Sequence, residues 1–193
     1  MAGVVPERPD FLWMSEAELR QWIENNPEHV NMVDGLGKSP LHAIAFKVSS
    51  GILDLLARSI YRKGADVNCR SSRGKTPLHE AQSVAVISAL IDRSADLFLS
   101  CERSRTVLMH HANDGKAECV GRLVEDPRIN ARALCREPDA EGRIHQVGIT
   151  APHHACVRGP KDRHRFFNRA PLDDARVIQH LLKAGANPYI TLH

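Results

Sequence analysis

The sequence predicts an all-α repeat built from helix pairs, on the strength of two recurring strings and one constant spacing. The strings Ser39-Pro40-Leu41-His42, Thr76-Pro77-Leu78-His79, Thr106-Val107-Leu108-Met109 and Thr150-Ala151-Pro152-His153 share one pattern. A second string follows each of them: Gly64-Ala65-Asp66-Val67-Asn68, Ser94-Ala95-Asp96-Leu97-Phe98, the eroded Asp126-Pro127-Arg128-Ile129-Asn130, and Gly185-Ala186-Asn187-Pro188-Tyr189. Eight residues carry the chain from Asn31 to Ser39, from Asn68 to Thr76 and from Phe98 to Thr106, so the join between strings keeps its length.

Each element has a local physical cause. Ser15-Glu16-Ala17-Glu18 reads as a capping box that opens a helix carrying Leu19, Trp22 and Ile23. Ser39, Thr76, Thr106 and Thr150 are helix caps, because a hydroxyl accepts from an orphan N–H while proline in the first turn gives up a donor that has no partner there. A second helix in each pair is read from apolar residues one turn apart: Val86-Ile87 with Leu90-Ile91, Cys119-Val120 with Leu123-Val124, and Val177-Ile178 with Leu181-Leu182. Gly64 and Gly185 stand where a left-handed residue ends a helix, with Ser94 as a poorer substitute.

Thr-Pro-Leu-His opening a helix pair that closes on Gly-Ala-Asp-Val-Asn resembles the ankyrin repeat, over about residues 15 to 189. The resemblance implies an ankyrin solenoid of helix pairs with β-hairpin fingers, about four repeats plus an N-terminal capping half repeat. It implies one domain over 1–193: a capping helix and finger at 15–38, then repeats at 39–75, 76–105, 106–149 and 150–193. His42, His79 and His153 are then structural, tying neighbouring repeats through backbone contacts, and Met109 departs from the pattern. Start-to-start spacings of 37, 30 and 44 residues also depart from the family's roughly 33. They place an extra helical turn within 51–63, a lost turn at Gln82-Ser83, and an insertion of about twelve residues between Asn130 and Thr150. The last helix pair has no polar closing helix after it, which leads us to expect further chain or a partner over that end.

Composition excludes more than it selects. Aromatics are 5%, thin for a large globular core but ordinary for layers filled by Leu, Ile, Val and Ala. With 26 basic and 23 acidic residues the net charge is +3, too small to announce nucleic acid or an anionic membrane. The N-terminus lacks a secretory core, and the longest apolar run, at 84–91, is too short to span a bilayer. Five widely spaced cysteines without a Cys-x-x-Cys pair suggest neither a disulfide framework nor a zinc ribbon. The expected setting is intracellular, in the cytoplasm, the nucleus or both. No catalytic residue, metal site or cofactor is expected: phosphate loop, nucleophile turn and His-Glu-x-x-His helix are all missing. His110-His111 and His153-His154 are better explained by packing, since adjacent helical residues point about 100° apart.

Function is expected at the fingers, at the surface of the first helix of each pair and at the two insertions. Lys38, then Arg70, Arg73 and Lys75, then Arg103 and Arg105, then Arg132 and Arg143 make a basic series suited to an acidic protein surface, with Asp34 and Glu102 diluting it. The segment 158–169, inserted between two helices, carries Arg158, Lys161, Arg163, Arg165 and the pair Phe166-Phe167. Apolar rings in so polar a stretch either pack back or await a partner. The expected function is a protein-binding scaffold or adaptor. The alternatives are a nucleic-acid contact through 158–169, the weaker reading because no RNA-binding signature accompanies it, and a regulatory segment of a larger enzyme.

Overall fold

The computed structural model describes residues 9–47, 64–129 and 174–185. They belong to two units, Met1–Asp96 and Leu97–His193.

In the first unit, Ser15 caps α1 (Glu16–Asn25): its hydroxyl accepts from Glu18 N at 3.2 Å, and Ser15 N donates to the Glu18 carboxylate at 2.7 Å. The exchange satisfies donors that a helix start leaves open, and the bond from Ser15 holds the Glu18 carboxyl below its usual range. Leu19 and Ile23 are buried, and the Phe11 ring meets Trp22 edge-on at 4.8 Å. A 3-10 turn at Pro27–His29 leads on towards Ser39. The latter opens α2 (Pro40–Phe46), in which every residue from Pro40 to Ala45 is buried. A helix apolar on all sides belongs in a core, and α2 packs against α1 and against α3 (Pro77–Glu80).

One turn is all that α3 achieves. Ala81 leaves the helical region, and Gln82 donates its N–H to Ala45 O at the end of α2. The missing turn at Gln82-Ser83 is therefore replaced by a bond to the neighbouring helix. Ser83 then caps α4 (Val84–Ile91), accepting from Val86 N at 3.3 Å, and Val86, Ile87, Leu90 and Ile91 face the core. Ser94 takes the left-handed conformation at φ 61°, and Ala95 N reaches back to Leu90 O.

The second unit begins with a turn at 101–105 and α5 (Val107–Asn113), capped by the Thr106 hydroxyl on Met109 N at 3.4 Å. Gly115, at φ 64°, turns the chain into α6 (Ala117–Val124). Against α6 lies α7 (Asp174–Lys183), with Val177 and Leu181 fully buried. The approach is close at Gly121, where a Cβ would stand 2.9 Å from the His180 ring.

The expected ankyrin solenoid of helix pairs with β-hairpin fingers, about four repeats plus a capping half repeat, is corrected by this architecture. Among the described residues there are seven α-helices and no β-strand; the expected fingers that end at Lys38, Lys75 and Arg105 are turns, with one isolated bridge between Ser100 and Thr106. The reason is local. In a hairpin closed at residues 34 and 38, the next rung needs the N–H of residue 40, and at 71 and 75 that of residue 77; Pro40 and Pro77 have none. Side chains also intercept the inner donors, since Lys38 N goes to the Asp34 carboxylate and Lys75 N to the Ser71 hydroxyl. The single bridge forms where Val107 replaces proline. The expected lengthening within 51–63, the insertion between Asn130 and Thr150 and the segment 158–169 lie outside the described residues. No helix among the described residues is long and apolar enough to cross a membrane.

Candidate functional site

Three tight turns share one construction. Asp34 N donates to Lys38 O, Ser71 N to Lys75 O and Cys101 N to Arg105 O, at 2.9 to 3.0 Å. Inside each, the fourth residue donates back to the first: Gly37 N to Asp34 O, Gly74 N to Ser71 O and Ser104 N to Cys101 O. That residue has positive φ in all three, at 68°, 66° and 53°. The first two turns lie side by side in the first unit, joined by Ser72 N donating to Leu36 O at 3.0 Å. Asn side chains brace the segments before them. Asn31 donates to Gly64 O and accepts from Asp66 N, while Asn68 accepts from Asp96 N. At the matching place before the third turn stands Phe98, and further along Asp126 holds Arg128 by two side-chain bonds of 2.8 and 2.9 Å that pull the Asp126 carboxyl down.

Behind the first two turns lies a buried polar cluster. Ser39 N donates to His42 Nδ1 at 3.1 Å, and the Ser39 hydroxyl lies 3.0 Å from the same nitrogen. His42 Nε2 lies 2.9 Å from Lys75 O. A carbonyl only accepts, so Nε2 carries the proton, and Nδ1, which accepts the Ser39 N–H, carries none, which makes the ring neutral. Burial pushes the His42 pKa down, against the bond to Lys75 that raises it. Cys69 completes the cluster, 3.1 Å from Ser39 Oγ and 3.7 Å from His42 Nδ1. Thr76 and His79 repeat the capping pair, with Thr76 N donating to His79 Nδ1 at 3.2 Å.

Serine, histidine and cysteine within reach of one another invite a nucleophile reading, and the geometry refuses it. The imidazole nitrogen that would take a proton already accepts a backbone N–H, and both Ser39 and His42 are inaccessible to solvent. Burial pushes the Cys69 thiol up to about 11, the opposite of activation. Among the described residues no group of three His, Cys, Asp or Glu side chains could hold a metal ion.

Glu80 is the residue that sequence reasoning missed. Its carboxylate is buried and receives Lys38 Nζ at 3.4 Å and Lys75 Nζ at 3.5 Å, one lysine from each turn. Burial would raise the Glu80 pKa, but Lys75 and Lys38 together draw it below the ordinary value. A signal existed in the sequence: Lys38 and Lys75 occupy the same place, immediately before a helix cap, and two like charges brought together need an anion. Glu80→Gln keeps the shape and removes the charge, and is expected to cost about 2 kcal/mol in urea unfolding near neutral pH. Because the folded-state pKa is depressed, the contribution is present above the ordinary value of 4.5 and fades as pH falls through the folded value. The gap between parent and variant should close accordingly in acid.

The candidate contact residues are thus divided. Lys38 and Lys75 turn towards Glu80, whereas Arg70, Arg73 and Arg103 are exposed and Arg105 is half-buried. Asp34 is buried and accepts from Leu36 N and Lys38 N, each at 2.8 Å, so it builds the turn rather than diluting surface charge. Glu102 is exposed beside Arg103. Two exposed apolar residues at the first turn, Leu36 and Val33, carried no signal in the sequence. His42 and His79 stand in the capping clusters just described; Arg132, Arg143, His153, Arg158, Lys161, Arg163, Arg165, Phe166 and Phe167 lie outside the described residues.

Neither a family model nor a curated protein matches the chain.

Proposed function

We propose that the chain is a protein-binding module whose turn tips contact an acidic partner surface. The observation that carries the reading is the pair of tips in the first unit: Leu36, 54% exposed, is bonded through its carbonyl to Ser72, next to the exposed Arg73. An apolar residue beside a cation, on turns braced from behind, is a preorganised contact that loses little freedom when a partner docks. Arg103 occupies the matching place in the second unit's turn, again exposed. The likeness of the helix-opening strings to ankyrin repeats supports the same reading, since that family is used for protein recognition. An intracellular setting is proposed with it: Cys69, Cys101 and Cys119 are free thiols.

The test is a pair of charge changes at the tips. Leu36→Asp and Arg73→Glu are each expected to abolish capture of the partner from lysate while shifting stability by no more than about 0.5 kcal/mol, as surface substitutions do. Capture of the same partner, undiminished by both changes, would remove the tips of the first unit from the contact.

A further inference from the structure

Two properties of His42 coincide. Its ring is fully buried, and both ring nitrogens serve backbone groups of different segments: Nδ1 takes the N–H of Ser39 at the start of α2, and Nε2 meets the carbonyl of Lys75 at the end of the second turn. A neutral imidazole can accept at one nitrogen and donate at the other; an imidazolium can only donate. Protonation at Nδ1 therefore sets an N–H against the Ser39 N–H and leaves a cation on a ring that has no exposed surface.

We propose that His42 is a proton-operated latch, whose protonation releases the Ser39 N–H and opens the join between the start of α2 and the 71–75 turn. The neighbouring groups do not compensate for a proton. The Ser39 hydroxyl and the Cys69 thiol lie on the Nδ1 side, and the Lys75 carbonyl lies at Nε2. Among charged groups, Glu80 and Asp34 favour protonation and Lys38 opposes it, while burial outweighs them all and keeps the closed ring neutral. Glu80 is itself shared between Lys38 and Lys75. Once the latch opens, the ring meets water and returns to its ordinary value of 6.5.

The sign follows from linkage. The open form binds a proton more readily than the closed form, so the full stability of closure is present above pH 6.5 and weakens progressively as pH falls below it. Neither Glu80, held below 4.5, nor Cys69, raised to about 11, titrates in that window.

The measurement is hydrogen exchange of the Ser39 amide, expressed as protection relative to a free peptide so that the intrinsic pH dependence cancels. Between about pH 7.5 and about pH 5.5 its protection should fall several-fold, with about tenfold the ceiling for one proton. The amides of Leu19 and Ile23 in α1 should keep theirs. In His42→Gln, which has no proton to gain, Ser39 protection should no longer depend on pH across this range. Constant Ser39 protection in the parent, or a fall matched by Leu19 and Ile23, would overturn the latch, the second because it marks acid unfolding of the whole unit. Should the Gln variant fail to fold, the parent's exchange together with the ring nitrogen shifts of His42 decides: Nδ1 must remain unprotonated at neutral pH and gain its proton as Ser39 opens. Neither readout depends on whether the turn tips bind a partner.

Discussion

Replacing Gly37 with alanine is expected to cost the first unit about 3 kcal/mol, while the same change at Gly35 leaves stability within about 0.5 kcal/mol. Two effects add at Gly37. Its φ of 68° is a conformation that an L side chain adopts at a cost of about 1 to 2 kcal/mol. Its missing Cβ would also lie 2.6 Å from both Ser72 N and Ser72 Oγ, and 3.2 Å from the Ser71 carbonyl carbon. Two of those three atoms are backbone, held by the Ser72 bond to Leu36 O and by the turn at 71–75, so they cannot swing aside as a side-chain end would. At Gly35 nothing stands within 4 Å of the added carbon. Urea unfolding of both variants at equal m-value separates a stability change from a change in the denatured state. A Gly37→Ala protein as stable as its parent would mean that the two turns are not in contact.

This close approach shows where sequence reasoning reaches and where it stops. Helix starts at Ser39, Thr76 and Thr106 were legible because a cap is settled within four residues, by a hydroxyl and the N–H groups it can reach. Thr106 keeps its cap although Met109 supplies no ring acceptor. The apolar pairs of α4 were legible for the same reason, periodicity being a local property. What failed was the expectation of β-hairpin fingers, which the resemblance to ankyrin repeats implied and the constant eight-residue spacing does not support by itself. Spacing fixes where the chain must turn and says nothing about whether rungs form beyond the turn; Pro40 and Pro77, read as helix starts, are also the residues that stop a ladder.

The candidate site was less legible still. Lys38, Arg73 and Arg103 look alike as basic residues near a turn, yet Lys38 points at a buried carboxylate and the two arginines point outward. The difference is made by Glu80, more than forty residues along the chain from Lys38, which becomes a neighbour only after α2 and α3 have packed. Leu36 was equally silent, because an apolar residue in a turn reads as core until its exposure is known.

A second pair of substitutions applies the same contrast to the other unit. Leu181→Asp is expected to destabilise it by about 4 kcal/mol, comparable to the whole stability of a small domain, so that the helical signal of the unit is lost at room temperature. Leu182→Asp, one residue later, should cost about 1 kcal/mol or less. Successive helical side chains point about 100° apart, which places Leu181 with Val177 on the face of α7 that meets α6, at 0% exposure, and leaves Leu182 42% exposed. An aspartate at 181 loses the burial of the leucine and must either hide a carboxylate or pull the helix off its partner. At 182 the penalties are smaller, the partial burial of the leucine and a negative charge near a helix C-terminus that Lys183 partly offsets. His180 against Gly121 fixes the register of this packing, since no other residue at 121 would leave room for the ring as it stands. Circular dichroism on heating reads both variants, and equal losses at 181 and 182 would mean that α7 does not present Leu181 to α6.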